Sequence, residues 1–124
     1  MKKTRPVHLD LRKVQFPLTA IASILHRISG VVMFVVIGLF LGLLQKSLES
    51  QEAFDFVSSF FNSSIIKVFT LSVVAAFFYH LFGGLRHLVM DAGYWEEMKS
   101  GTLSAQVVIG LTCVVLVITG VWLW

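Results

Sequence analysis

Three long apolar stretches, separated by shorter polar segments, dominate the pattern of hydrophobic and polar positions along the chain. Each stretch is long enough to cross a bilayer as a helix, which takes about 20 mostly apolar residues. The pattern therefore predicts an all-α membrane protein with three transmembrane helices, over residues 19–44, 65–89 and 103–124. Residues 1–18 form an arm before the first span, and the 124 residues together make a single membrane-anchor domain.

Composition agrees with this interpretation and excludes several others. Hydrophobic residues make up 56% of the chain, charged residues 14%, and the mean hydropathy is +0.84, far from the usage of soluble domains. The net charge of +3 comes from a cluster at one end, so it does not indicate a nucleic-acid partner. The single cysteine, Cys113, lies in an apolar span, which excludes a disulfide framework or a thiolate zinc site.

The arm over residues 1–18 is basic, and we expect it to lie on the membrane surface against anionic lipid, either as an ordered segment or as a disordered tail. The first residues are polar and lead directly into a full-length span. We therefore expect neither a cleavable signal peptide nor a mitochondrial transit peptide, which favours the bacterial inner membrane and a multi-pass topology.

The distribution of basic residues predicts the orientation. Five lysines and arginines lie in the arm and Arg86 and Lys99 lie near the second connection, against Lys46 and Lys67 near the first connection. By the positive-inside rule the N-terminus is cytoplasmic and the C-terminus periplasmic. The unusual polar residues of the first two spans then share the cytoplasmic half of the bundle, which predicts one polar site.

The two connections and the third span carry no predicted chemistry. We expect a polar loop over residues 45–64, with phenylalanines that reach the headgroup region, and a second loop over residues 90–102 anchored by Tyr94 and Trp95. The third span contains no ionisable group except Cys113. We interpret it as a packing element.

The end of the second span, residues 80–91, is the most unusual part of the chain. Ionisable groups at membrane depth are costly and tend to mark a functional site. On a helix His80, Gly84 and His87 share one stripe. A histidine followed one turn later by a glycine suits a haem, because the imidazole binds iron and the missing side chain lets the ring lie close to the backbone. The alternative is a buried histidine that is hydrogen-bonded to a neighbouring helix.

The first span offers complementary groups on one helix face, namely Ser23, His26 and Arg27. His26 and Arg27 lie at a depth suited to the propionates of a haem. The hydroxyl of Ser23 and the guanidinium of Arg27 can donate hydrogen bonds to a quinone carbonyl. Two axial histidines would favour electron transfer, and the second ligand would be His26, His87 or a residue of another polypeptide.

Three segments carry a close resemblance to a known family. The sequence resembles the two signatures of the cytochrome b556 subunits of succinate dehydrogenase, the larger membrane anchors of complex II. The matching segments are Arg5-Pro6-Val7, Ser23-Ile-Leu-His26-Arg27-Ile-Ser29 and His80-x-x-x-Gly84-Leu-Arg86-His87-Leu-Val-Met90-Asp91-x-Gly93. With the three-span layout, the resemblance covers nearly the whole chain.

The resemblance implies roles for individual residues. His80 aligns with the axial ligand of haem b, whose other ligand comes from the smaller anchor subunit. Ser23 and Arg27 align with ubiquinone-binding residues, Ile24 would line the quinone pocket, and His26 and Arg27 lie near the haem propionates. Arg86, His87 and Asp91 match the second signature. They can have a structural role, in which Arg86 pairs with Asp91 or with a partner subunit.

The resemblance also implies a function within the respiratory chain and the tricarboxylic acid cycle. The chain would dock a flavoprotein and an iron–sulfur subunit, bind haem b together with the small hydrophobic anchor subunit, and pass electrons from succinate to ubiquinone. It has no catalytic residues for succinate itself. Two alternatives are a fumarate reductase anchor that uses menaquinone and a non-redox small membrane subunit, such as a transporter or an assembly subunit.

Overall fold

The structure, a computed structural model, describes residues 14–124. Over that range the chain forms four helices, α1 (Leu18–Ser47), α2 (Gln51–Phe61), α3 (Ser64–Asp91) and α4 (Met98–Leu123). Three of them, α1, α3 and α4, are long and apolar enough to cross a membrane, and none of the described residues forms a strand. The predicted class, an all-α membrane protein with three spans, is confirmed. Most of the basic arm, with its Arg5-Pro6-Val7 segment, lies outside the described residues.

The central helix of the bundle is α3, which packs against both α1 and α4. The Tyr79 hydroxyl donates a hydrogen bond to the Ala22 carbonyl oxygen at 3.0 Å and so joins α3 to α1. In the first turn of α3, Lys67 Nζ donates to the Leu123 carbonyl oxygen at 2.7 Å and joins α3 to the last turn of α4. Contacts in the first turn and in the middle of α3 therefore fix the helix that carries the polar residues 80–91.

Small side chains form the interior of the bundle, and large ones face outward. The most buried apolar residues are alanines and valines: Ala22, Val36, Val73, Ala105 and Val108. By contrast, the Phe34 and Trp122 side chains are 82% and 83% exposed. Lipid tails are as apolar as leucine, so membrane helices associate through close packing of small residues and through polar contacts. The outer surface is thus left to lipid and to other polypeptides.

The first connection is not the polar loop expected over residues 45–64, and that prediction is wrong for residues 51–61. There α2 begins after Ser50, whose hydroxyl accepts a hydrogen bond from the Ala53 backbone N–H at 3.1 Å, as an N-cap does. Ala53 and Val57 are buried on the inner face of α2, while Phe54 and Phe56 are exposed. The helix has only 11 residues and many of them are polar, so the helical repeat of its apolar residues covers only three turns and resembles a polar loop in the sequence.

The second connection is shorter than expected, because α4 begins at Met98 rather than near residue 103. A tight turn joins the helices, with Gly93 at φ 86° and Trp95 at φ 59°. Both residues adopt left-handed backbone, which glycine does readily and tryptophan rarely. The early start of α4 adds Gly101 to the helix, where it is buried like Ser104 one turn later. The orientation across the membrane stays a prediction.

Candidate functional site

The rings of His26 and His80 stack where α1 crosses α3. Their centroids lie 4.3 Å apart with an angle of 5° between the ring planes. His87, two turns after His80 on the same helix, lies 5.0 Å from the His26 ring at an angle of 50°. The crossing of α1 and α3 therefore brings three histidines from two spans into one cluster.

Glycines on the opposite helix make this close approach possible. A Cβ atom at Gly30 of α1 would lie 3.0 Å from Cε1 of His80, and one at Gly83 of α3 would lie 2.9 Å from Cδ2 of His26. A Cβ at Gly84 would lie 3.4 Å from Nε2 of His26. Each stacked histidine thus occupies space that a side chain on the facing helix would fill.

Hydrogen bonds determine which nitrogen of His80 carries the proton. Its Nδ1 lies 3.2 Å from the His26 carbonyl oxygen, which can only accept. It also lies 3.2 Å from Ser29 Oγ, whose single hydrogen is donated to the same carbonyl at 2.7 Å. Since both neighbours are acceptors toward the ring, Nδ1 carries the proton and Nε2 keeps its lone pair. His80 is therefore in the tautomer that binds a metal through Nε2.

His26 presents a different feature. Its Nε2 is buried and has no hydrogen-bond partner among the described residues. A buried polar atom without a partner costs free energy, and native structures rarely contain one without a functional reason or an external partner. Nε2 of His26 is therefore a buried nitrogen beside the His80 ring that lacks a hydrogen-bond partner among the described residues.

The other predicted site residues lie on the outer side of α1. Ser23 is half-buried, whereas Ile24 and Arg27 are exposed. The Tyr79 hydroxyl holds the Ala22 carbonyl and so fixes the backbone beside Ser23. The chain thus brings His26 to the cluster, leaves Ser23 partly accessible, and leaves Ile24 and Arg27 exposed on the outer side of α1.

Arg86 is 4% exposed and contacts α4 rather than the histidine cluster. Its Nε donates to Ser104 Oγ at 2.9 Å and an Nη donates to the Gly101 carbonyl oxygen at 3.2 Å. No ion pair between Arg86 and Asp91 occurs in residues 14–124, so that pairing is wrong, whereas a pairing of Arg86 with a partner subunit stays a prediction. The assignment of α4 to packing alone is also incomplete, because Ser104 and Gly101 satisfy this buried cation.

Sequence reasoning gave no role to several residues that shape the site. Ser29 belongs to the second of the three matched segments and Gly83 precedes the matched Gly84, yet neither was given a role. The available signal was spacing: Ser29 and Gly30 follow His26 by about one turn, so they lie near the same crossing point.

Comparison with known proteins gives the family. The sequence profile described as "Succinate dehydrogenase/Fumarate reductase transmembrane subunit" matches residues 1–119. The chain belongs to this family. Its similarity extends to the succinate dehydrogenase cytochrome b556 subunit of Coxiella burnetii, with 41% identity over the full length of both chains.

Further members of the family are similar over most of their length. Identity is 34% to the succinate dehydrogenase cytochrome b556 subunit of Paracoccus denitrificans, covering 93% of this chain and 88% of that one. It is also 34% to the cytochrome b560 subunit of Reclinomonas americana, covering 90% and 81%. The predicted resemblance to succinate dehydrogenase anchors is confirmed, as is the prediction of a multi-pass protein of the bacterial inner membrane.

Proposed function

We propose that the chain is the membrane anchor of a succinate:ubiquinone oxidoreductase that binds haem b and ubiquinone. In this role it docks the flavoprotein and iron–sulfur subunits and contributes to electron transfer from succinate to ubiquinone. The observation that carries the proposal is the placement of His80, whose Nδ1 lies 3.2 Å from both Ser29 Oγ and the His26 carbonyl oxygen, which favours the tautomer with the proton on Nδ1. Nε2 is left as a ligand, and cytochrome b is the name that the similar proteins carry.

The donor set of this chain fits a haem. His80 would be one axial ligand, and the small hydrophobic anchor subunit would supply the other. The unpartnered Nε2 of His26 and the exposed guanidinium of Arg27 would bind the propionates. When bound, the haem supplies a redox centre that accepts and returns electrons.

Ser23, Ile24 and Arg27 would form this chain's part of the ubiquinone site. The Ser23 hydroxyl and the Arg27 guanidinium donate hydrogen bonds to a quinone carbonyl, and the cation stabilises negative charge on that oxygen during reduction. Ile24, 46% exposed, offers apolar contact to the quinone ring. Because these side chains are open to the outside of the chain, a partner subunit completes the pocket.

The family description also names fumarate reductase, so an anchor that passes electrons from menaquinone to fumarate is the second candidate. The similar proteins of Coxiella and Paracoccus are both named for succinate dehydrogenase, which favours succinate oxidation. A non-redox transporter or assembly subunit does not agree with membership of this family.

The test is a reduced-minus-oxidised optical spectrum of the purified complex, expressed with its partner subunits as native, His80→Ala and His87→Ala forms. We expect a b-type spectrum in the native and His87→Ala complexes and its loss in His80→Ala. Succinate oxidation with a soluble artificial acceptor reports assembly in each case. Loss of the spectrum in His87→Ala with its retention in His80→Ala would contradict the assignment of the ligand.

A further inference from the structure

Two consecutive residues of α1 lie against the Nδ1–Cε1 edge of the His80 ring. Ser29 meets Nδ1 through its hydroxyl, and Gly30 leaves room for Cε1. We propose that Ser29 is a positioning residue, which fixes the tautomer and the ring orientation of His80 and thereby sets the reduction potential of the iron. This inference rests on the proposed function, because it requires His80 to be a haem ligand.

The hydroxyl of Ser29 is itself fixed. Its hydrogen points to the His26 carbonyl at 2.7 Å, so a lone pair of Oγ faces the Nδ1–H of His80. Ser29 is 6% exposed, so water has little access to take the place of the hydroxyl. The contact is therefore a directed acceptor built into the interior.

Gly30 limits the freedom of the ring. Cε1 of His80 packs close to Gly30, only 3.0 Å from where a Cβ would lie, and the stacked His26 ring covers one face of the imidazole. A ring held along one edge and on one face has few orientations that keep the contact to Ser29. The plane of His80 is thus set by α1, whereas the histidine itself comes from α3.

The consequence for the iron follows from ligand basicity. An acceptor on Nδ1–H draws the proton away from the ring and makes the imidazole a stronger donor through Nε2. A stronger donor stabilises oxidised more than reduced iron, so the acceptor lowers the potential. Removal of the Ser29 hydroxyl leaves only the His26 carbonyl, at 3.2 Å, and the potential rises.

The experiment compares Ser29→Thr and Ser29→Val in the complete complex. The two side chains have nearly the same shape, but only threonine has a hydroxyl. Ser29→Ala is a third variant. Ser47→Ala is the matched control, because the Ser47 hydroxyl also donates to the carbonyl three residues earlier on α1, at 2.8 Å, and lies away from the histidines.

Redox titration of the b-type absorbance and the low-spin electron paramagnetic resonance signal are measured for each form. We expect a more positive midpoint potential and shifted g-values in Ser29→Val and Ser29→Ala than in the native complex. The midpoint potential of Ser29→Thr should be closer to that of the native complex, and the midpoint potential of Ser47→Ala should equal it. If the Ser29→Ala complex does not assemble, the difference in midpoint potential between Ser29→Thr and Ser29→Val tests the role of the hydroxyl.

Equal potentials and signals for the threonine and valine variants, with haem present, would overturn the role of Ser29 and leave the haem assignment intact. A native, assembled complex without haem would overturn the proposed function and this inference with it.

Discussion

Arg86 and Ser104 form a buried contact between α3 and α4, in which the guanidinium Nε donates to the hydroxyl oxygen at 2.9 Å. The Ser104 hydroxyl donates a hydrogen bond to the Gly101 carbonyl oxygen at 2.8 Å, and that oxygen also accepts a hydrogen bond from Arg86. All of these acceptors are neutral. A cation in the interior of a membrane domain is thus held by hydrogen bonds, which makes it sensitive to the loss of any one of them.

We predict that Ser104→Ala lowers the stability of the assembled complex by about 1 to 2 kcal/mol, because Arg86 Nε is then buried without its acceptor. Thermal unfolding of the purified complex in detergent measures the effect. Ser72→Ala is the control, since the Ser72 hydroxyl is exposed and donates only to the Val68 carbonyl of its own helix. Identical midpoints for the two variants would show that the contact between Arg86 and Ser104 contributes nothing.

Gly83→Ala should disturb the histidine cluster. The added Cβ would lie 2.9 Å from Cδ2 of His26, so either the ring or the helix must shift, at a cost of about 1 to 3 kcal/mol. We expect a lower haem content per assembled complex. Gly110→Ala, at a position with open space around the added Cβ, should keep the native content. Equal haem content in both variants would contradict the close packing of α3 against His26.

Arg27→Ala should slow ubiquinone reduction by about tenfold or more, because the quinone oxygen loses a charged donor. Succinate oxidation with a soluble artificial acceptor should persist, since Arg27 lies on the exposed side of α1. Both rates are measured on the same preparation. An equal loss of both activities would assign Arg27 to assembly, and Arg27→Lys tests whether charge alone restores the rate.

Lys67→Met should loosen the end of the bundle away from the histidines. Lys67 donates to the Leu123 carbonyl at 2.7 Å and lies 5.7 Å from the centre of the Trp124 ring, where it interacts favourably with the helix C-terminus. We expect a loss of about 1 kcal/mol in thermal stability with an unchanged haem spectrum. Lys67→Arg should retain most of the stability; a spectrum changed by Lys67→Met would contradict a purely local effect.

The spans could be predicted from the sequence because a stretch of about twenty apolar residues has the length and hydrophobicity of a helix that crosses a bilayer. The short helix α2 could not, since its start depends on one capping hydroxyl, that of Ser50, and its apolar face is completed by α1. The early start of α4 was missed for a similar reason. Residues 98–102 are polar in sequence, but Gly101 is buried among Trp95, Thr19 and Arg86, and its carbonyl oxygen accepts a hydrogen bond from Arg86 of α3.

The candidate site was predictable only in part. Spacing placed His80 and His87 on one stripe and indicated that the polar residues of two spans share one membrane half. The stacking of His26 on His80 depends on the rotation of α1 about its axis, which Gly30 and Gly83 permit and which no spacing rule gives. The proton on Nδ1 of His80 follows from two acceptors on another helix, so it also required the folded chain.

The small side chains at the centre of the bundle change which substitutions the protein tolerates. In a soluble domain large residues fill the core, and their truncation leaves cavities. Here Ala105 is completely buried, while most of the phenylalanines and all three tryptophans are exposed. For these apolar interior residues, enlargement is therefore a more damaging change than truncation. Exchange of one large apolar residue for another costs little wherever the outer surface faces lipid alone.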